Sequence, residues 1–206
     1  MQKSEYHPIA SGFIPENTKT LVVGTFPPKD IYANKKHYFF YASAHNHFWN
    51  RMENIFKEYK LKKTKNKCTD VSEEQNKTDK QKFAEDKKIG FLDVFTSIAR
   101  LSNSTKDEDL IDVENIVQNG KLNEILTHNK NIVRICCTYK LAFETLKCRL
   151  PKDQIRIVND NDSANNQKII YEFGKRITEI YLLYPATRSR DLSEIKDAQY
   201  EKLLFI

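Results

Sequence analysis

The stretch TLVVGTFPPKDIYANKKHYFFYASAHNHFW, residues Thr20 to Trp49, decides how this chain is read. It opens on Leu21-Val22-Val23, a short apolar and β-branched run with the length of a buried strand. Gly24 and Thr25-Phe26-Pro27-Pro28 follow at once. Paired prolines continue neither a helix nor a sheet ladder, so the chain turns at the strand's carboxyl end. Open α/β sheets place ligands at that end of their strands. Beyond the turn lie Tyr38-Phe39-Phe40-Tyr41, the small residues Ala42-Ser43-Ala44, and His45-Asn46-His47-Phe48-Trp49. Phe48, Met52, Ile55 and Tyr59 recur at helical spacing, which predicts an amphipathic helix from about Asn46 to Tyr59. A loop of this kind is costly to order unless something binds there.

Outward from this stretch, residues 1–19 carry Pro8, Gly12 and Pro15 and read as an irregular lead-in covering the sheet's edge. A highly charged tract over about 60–88 reads as a mobile insertion with a short helix near Lys80 to Asp86. Its lysines form either a solvated loop, the more common fate of such runs, or a track for DNA phosphates. Ile89 to Val94 reads as a second strand, and Asp93 inside it needs a partner, so its expected role is to hold a loop or cap the next turn. Residues 103–112 form a polar connection, and Leu122, Ile125 and Leu126 mark a helix ending before Asn129. Asn131 to Cys137 reads as a third strand, Lys140 to Leu146 as a helix, Gln154 to Val158 as a short strand, and Ile180 to Leu183 as a stronger one that stops at Pro185. Asp191 with Glu194 resembles a capping box opening a terminal helix whose apolar positions include Leu192, Ile195 and Leu203. Strand followed by helix, repeated, argues for one α/β domain spanning 1–206, with a central, mainly parallel sheet of about four strands flanked by helices in three layers.

The chain has 206 residues, enough for one well-buried domain. A charged fraction of 30% with a net charge of +6 permits an anionic partner such as nucleic acid without requiring one. Cys68, Cys136, Cys137 and Cys148 show no metal-ligand spacing, and Cys136-Cys137 sits in an apolar run where thiols pack as small hydrophobes. His37, His45 and His47 lack a further ligand at suitable spacing, so packing or phosphate contact is the expectation and no metal or other cofactor is assigned. A reduced, cytoplasmic protein with no membrane association is expected.

The order strand, G-T-F-P, spacer, F-F-Y-A, then N-x-F-W resembles the front half of the uracil-DNA glycosylase superfamily, closest to its hypoxanthine and mismatch-type branch. Gly24, Pro27, Tyr41, Ala42, Asn46, Phe48 and Trp49 match that branch's pattern, and Gly90-Phe91-Leu92-Asp93-Val94 resembles its G-[IL]-x-D-V element. Tyr184-Pro185-Ala186-Thr187-Arg188-Ser189 sits where the family has a serine-rich loop. The chain departs from the pattern at Phe26, where many members carry a water-activating Asn or Asp, at Pro28, which replaces a glycine, at Ala186-Thr187-Arg188, and at Thr138-Tyr139, where related enzymes often carry Asn-Gly.

The resemblance implies a DNA glycosylase. The target nucleotide must be extruded, because the C1′–N bond is unreachable inside a stacked duplex. Gly24, Thr25, Phe26 and Pro27 would line the pocket, with Phe26, Phe40 and Tyr41 stacking on the base. Ordinary core packing is an equally good reading for Phe40. Ala186, Thr187, Arg188 and Ser189 form the second substrate loop, with Arg188 and Arg190 adding charge and the two hydroxyls adding donors for a phosphate. Asn46 is the catalytic candidate through its carboxamide, although an amide is no strong base and, without the resemblance, Asn46 reads as a helix cap.

The expected activity is monofunctional hydrolysis of the N-glycosidic bond of uracil or hypoxanthine in base excision repair, since no lysine stands in the pocket motifs to form a Schiff base. Damaged or mismatched DNA, duplex or single-stranded, is the expected partner, and a monomer the expected state. The alternatives are a non-catalytic nucleic-acid-binding protein of the same fold, and an enzyme acting on a small nucleoside or phosphate-bearing ligand.

Overall fold

A computed structural model of the chain describes residues 5–27, 39–41, 46–61, 73–99, 117–186 and 193–206. Its centre is a six-stranded sheet. Strand β2 (Thr20–Gly24) lies between β3 (Ile89–Asp93) and β6 (Arg134–Cys137), and β9 (Arg176–Leu182) lies beyond β6, all four parallel. These are the parallel strands expected from the sequence. The sheet then turns antiparallel through β8 (Gln167–Phe173) and β7 (Ile155–Asn159). A separate three-stranded sheet joins β1 (Glu5–Tyr6), β4 (Phe95–Ile98) and β5 (Val117–Gln118).

Helices cover both faces of the central sheet, which is why every residue of β2 and β3 is buried. On one face, Leu21, Val23, Ile135 and Ile180 pack against Leu122, Ile125, Leu126, Phe143 and Leu146. The last five belong to α3 (Gly120–His128) and α4 (Lys140–Arg149), numbered after α1 (Phe48–Ile55) and α2 (Glu73–Asp86). On the other face, Val22, Phe91, Cys136 and Tyr181 pack against Phe48, Trp49 and Met52 of α1, Phe83 and Ala84 of α2, and Tyr200, Leu203 and Leu204 of α5 (Ser193–Leu204). Three layers result.

Three sequence expectations change in detail, and one strand, β8, is added to those expected. The lead-in is not wholly irregular: β1 pairs with β4, and Phe13 exchanges both backbone hydrogen bonds with Phe91, at 2.8 and 2.7 Å, so the segment does cover the outer edge of β3. The helix in the charged tract is longer than expected, because Phe83 and Ala84, both fully buried, anchor it to the core. Strand β8 lacks the strict alternation of a half-exposed strand, since Ile169, Ile170 and Tyr171 are all buried. It is instead set by a two-residue turn in which Gly174 adopts φ +61°. In α5 the inward face is Lys196, Gln199, Tyr200, Leu203 and Leu204, and Ile195 is 55% exposed. Gln199 and Tyr200 face inward because they bind backbone: Gln199 Oε1 accepts from Tyr184 N at 2.7 Å and the Tyr200 hydroxyl donates to Tyr184 O at 2.8 Å.

The antiparallel half of the sheet is held by one polar cluster. Lys168 Nζ reaches Glu179 Oε1 at 2.8 Å, Asp160 Oδ2 at 3.0 Å and the Tyr181 hydroxyl at 3.1 Å. Burial alone would raise the Asp160 and Glu179 carboxyls, but the hydrogen bonds and charge of Lys168 outweigh it and hold both below their ordinary values. Depressed carboxylates stabilise the fold above their ordinary range and lose that contribution as pH falls through their folded values. Urea denaturation is therefore expected to show stability falling between about pH 5 and pH 3. Lys168→Met should cost about 2 kcal/mol at neutral pH and flatten that acid slope. An unchanged slope in the variant would refute the assignment.

Candidate functional site

In a parallel sheet the carboxyl ends of neighbouring strands lie along one edge. Here they are Asp93 of β3, Gly24 of β2, Cys137 of β6 and Leu182 of β9. β3 lies on one side of β2 and β6 on the other, so the chain reverses its strand order between β2 and β6, where a crevice is expected. The loops flanking that point are Thr25-Phe26-Pro27 and Thr138-Tyr139.

Gly24 and Asp93 are partners in register, and a Cβ on Gly24 would fall on Asp93 Oδ1 and lie 2.9 Å from the Tyr41 hydroxyl. The glycine thus makes room for two polar groups over one point of the backbone. Its carbonyl accepts from Val94 N at 2.9 Å and that of Thr25 from Phe95 N at 3.2 Å, which fixes the turn against the chain leaving β3. Tyr41 sits at φ 58°, unusual for a non-glycine residue and a form of strain that collects at functional loops. Its ring stacks on Phe48, with centroids 4.8 Å apart. The Thr138 hydroxyl donates to Val23 O at 3.3 Å, so the Tyr41 hydroxyl, 3.1 Å away, is the donor to Thr138 Oγ1.

Asn46 lies at the start of α1. Its Oδ1 accepts from Phe48 N at 2.9 Å, a tight turn around His47, the N-cap position of α1, and its Nδ2 donates to the Tyr139 hydroxyl at 3.2 Å. The side chain is half-buried, and Oδ1 keeps a second lone pair beyond the one Phe48 N uses. Beside it, His47 N donates to Ala186 O at 3.0 Å, which ties the Asn46 segment to the chain leaving β9. Gly24 and Tyr41 thus meet beside Asp93, the Tyr41 hydroxyl binds Thr138, Asn46 binds the adjoining Tyr139, and His47 ties in Ala186. Thr187, Arg188 and Ser189, the rest of the expected second loop, lie outside the described residues, as do Pro28, Ala42 and Arg190.

The aromatic candidates separate. Phe40, expected either to stack on a base or to pack in the core, is 1% exposed and lies between His7 and a stacked Phe91, while its carbonyl accepts from Trp49 Nε1 at 2.7 Å. Its neighbours bury it as core. Phe26, 7% exposed, meets His7 edge to face at 5.5 Å, and Thr25 and Pro27 are buried beside it. His7 carries no local signal in the sequence, and Thr138-Tyr139 stands there only as a departure from the related pattern. His7 Nε2 lies 2.9 Å from Asp93 Oδ2, so the buried carboxylate has its required partner 86 positions away in sequence.

The chemistry available is that of acceptors and hydroxyls. Burial pushes the Cys136 thiol up to about 12 and that of Cys137 well above its ordinary value, so neither is a nucleophile. Among the described residues no cluster of three His, Cys, Asp or Glu side chains is placed to hold a metal ion. On the α1–α5 flank, Arg51 is 5% exposed and donates to Asp197 Oδ1 at 2.6 Å, and Lys196 is 3% exposed. Burial, and after it the Arg51 charge, holds Lys196 below the ordinary lysine value. No helix among the described residues is long and apolar enough to cross a membrane.

No protein-family model matches the sequence, and no curated protein matches it. Among solved structures, the chain matches a solution NMR structure of a "putative uracil DNA glycosylase" from Methanosarcina acetivorans, with a TM-score of 0.50 and 18% identity over 93% of this chain and 96% of that one. At that identity the likeness is one of fold: both chains share a mixed α/β architecture with a central sheet flanked by helices.

Proposed function

We propose that this protein is a monofunctional DNA glycosylase that hydrolyses the N-glycosidic bond of a flipped-out deaminated base, uracil or hypoxanthine. The observation that carries the reading is the convergence of Gly24, Tyr41, Asn46, Asp93 and Ala186, drawn from separate parts of the chain, on the carboxyl edge of a sheet shared in fold with the glycosylase-like neighbour. Asn46 orients the attacking water through the second lone pair of Oδ1, while the Tyr139 hydroxyl and Phe48 N fix the carboxamide. Water oxygen bonds to C1′, the C1′–N pair leaves with the base, and the water's proton passes to solvent. Asp93 faces the base edge: deamination turns a ring nitrogen from lone-pair acceptor into N–H donor, and a carboxylate attracts the second and repels the first. Phe26 and Tyr41 flank the base, and Thr187, Arg188 and Ser189 grip a backbone phosphate. No cofactor takes part, and the protein works as a cytoplasmic monomer on damaged or mismatched DNA.

One observation favours a second reading, a nucleic-acid-binding protein without catalysis. Both ends of the Asn46 carboxamide are already engaged, by Phe48 N and by Tyr139. Duplex and single-stranded oligonucleotides bearing uracil, hypoxanthine or xanthine, treated with the protein and then with alkali, separate the two. Strand breaks at uracil or hypoxanthine are the expected result. Retarded mobility without breaks supports the binding protein, and neither effect removes both readings.

A further inference from the structure

We propose that His7 is a positioning residue of this site: it locks the Asp93 carboxylate as a fixed acceptor toward the extruded base, so that the amino-terminal segment sets base discrimination. The inference rests on the glycosylase reading above. His7 Nδ1 accepts a hydrogen bond from Ile9 N at 2.9 Å, so that nitrogen carries no proton. The ring proton of the neutral imidazole is then on Nε2, and it is donated to Asp93 Oδ2 at 2.9 Å. Because Oδ2 is the acceptor in that bond, Oδ1 is the oxygen left over Gly24.

The ring has little freedom to turn. Its side chain is 1% exposed, wedged between Phe26 at 5.5 Å and Phe40 at 5.8 Å, and its backbone N donates to Thr96 O at 2.8 Å. Asp93 itself is 7% exposed at the side chain, with Oδ2 on His7 and Oδ1 over Gly24. Without His7 the carboxylate loses the donor that fixes its direction, and a swinging carboxylate no longer separates a ring N–H from a ring lone pair. His7 touches no reacting atom in this scheme and acts through Asp93 alone.

Kinetics on a matched pair of oligonucleotides, deaminated and parent base, test this together with nitrogen-15 NMR of the imidazole. His7→Ala should raise KM for the deaminated base about tenfold, the worth of one hydrogen bond to a charged group, with a smaller change in kcat and a matching loss of discrimination. His7→Gln, whose Nε2 donates from a similar position, should restore most of both, whereas His7→Asn, one carbon shorter, should not. In the wild-type chain the imidazole spectrum should show Nε2 protonated and Nδ1 bare, a readout independent of turnover and of how the variants fold. A protonated Nδ1, or an active His7→Ala chain with unaltered KM and discrimination, overturns the inference and leaves the glycosylase reading standing. A wild-type chain inactive on every lesion overturns both.

Discussion

Asn46→Ala should slow base release by about 100- to 1000-fold, the usual loss when one preorganised polar group aimed at a reacting centre is removed. The same change deletes the acceptor for Phe48 N and should cost about 1 kcal/mol of stability as a lost hydrogen bond at the entry to α1. The two effects are separable because they use different atoms. Asn46→Ser keeps an acceptor oxygen for Phe48 N but cannot reach Tyr139, so its unfolding midpoint should return to the wild-type value while its activity stays low. Asn46→Asp keeps the acceptor for Phe48 N and replaces the Nδ2 donor with a second acceptor opposite the Tyr139 hydroxyl. That leaves the fold intact and alters the water's orientation. Single-turnover cleavage on the preferred lesion, paired with urea denaturation, reads both quantities. If the serine variant regains activity along with stability, Asn46 only shapes the entry to α1, and another group orients the water.

The parallel core of this fold is legible because its signal is local. Leu21-Val22-Val23 is apolar on both faces, which only a strand covered by helices on both sides requires, and Ile89 to Asp93 and Ile180 to Leu182 repeat the pattern. The edge where the loops meet follows from parallel order, and Asn46 is legible as a residue at the entry to α1. What the sequence hid is long-range. His7 is a single histidine in a proline-containing lead-in, and nothing near it signals a carboxylate on β3. Gln199 faces inward because Tyr184 N and Asp162 O find their polar partner in it, and Lys196 is buried on the same face, so the buried face of α5 departs from its apolar positions. Strand β8 is silent in the sequence for a similar reason: its register comes from the turn at Gly174 and from pairing with β9.

Gly24→Ala is the most direct probe of the convergence, and its expected cost is about 2–3 kcal/mol, in the range of overpacking a filled site, together with loss of most activity. The methyl group would meet the Asp93 carboxylate and the Tyr41 hydroxyl. Neither is a loose side-chain end that can step aside: Asp93 is held by His7, and Tyr41 by Thr138 and by its stack on Phe48. Gly120→Ala is the contrast, since nothing lies within 4 Å of a Cβ at the first position of α3, and it should be neutral or stabilising by up to about 1 kcal/mol. A double-mutant cycle then isolates the contact. In an Asp93→Ala background the carboxylate is gone, so Gly24→Ala should cost about 1 kcal/mol less than in the wild type, a coupling of the size expected for touching groups. Strict additivity would mean that Gly24 and Asp93 do not share that space, and the edge built on their contact would fail with it.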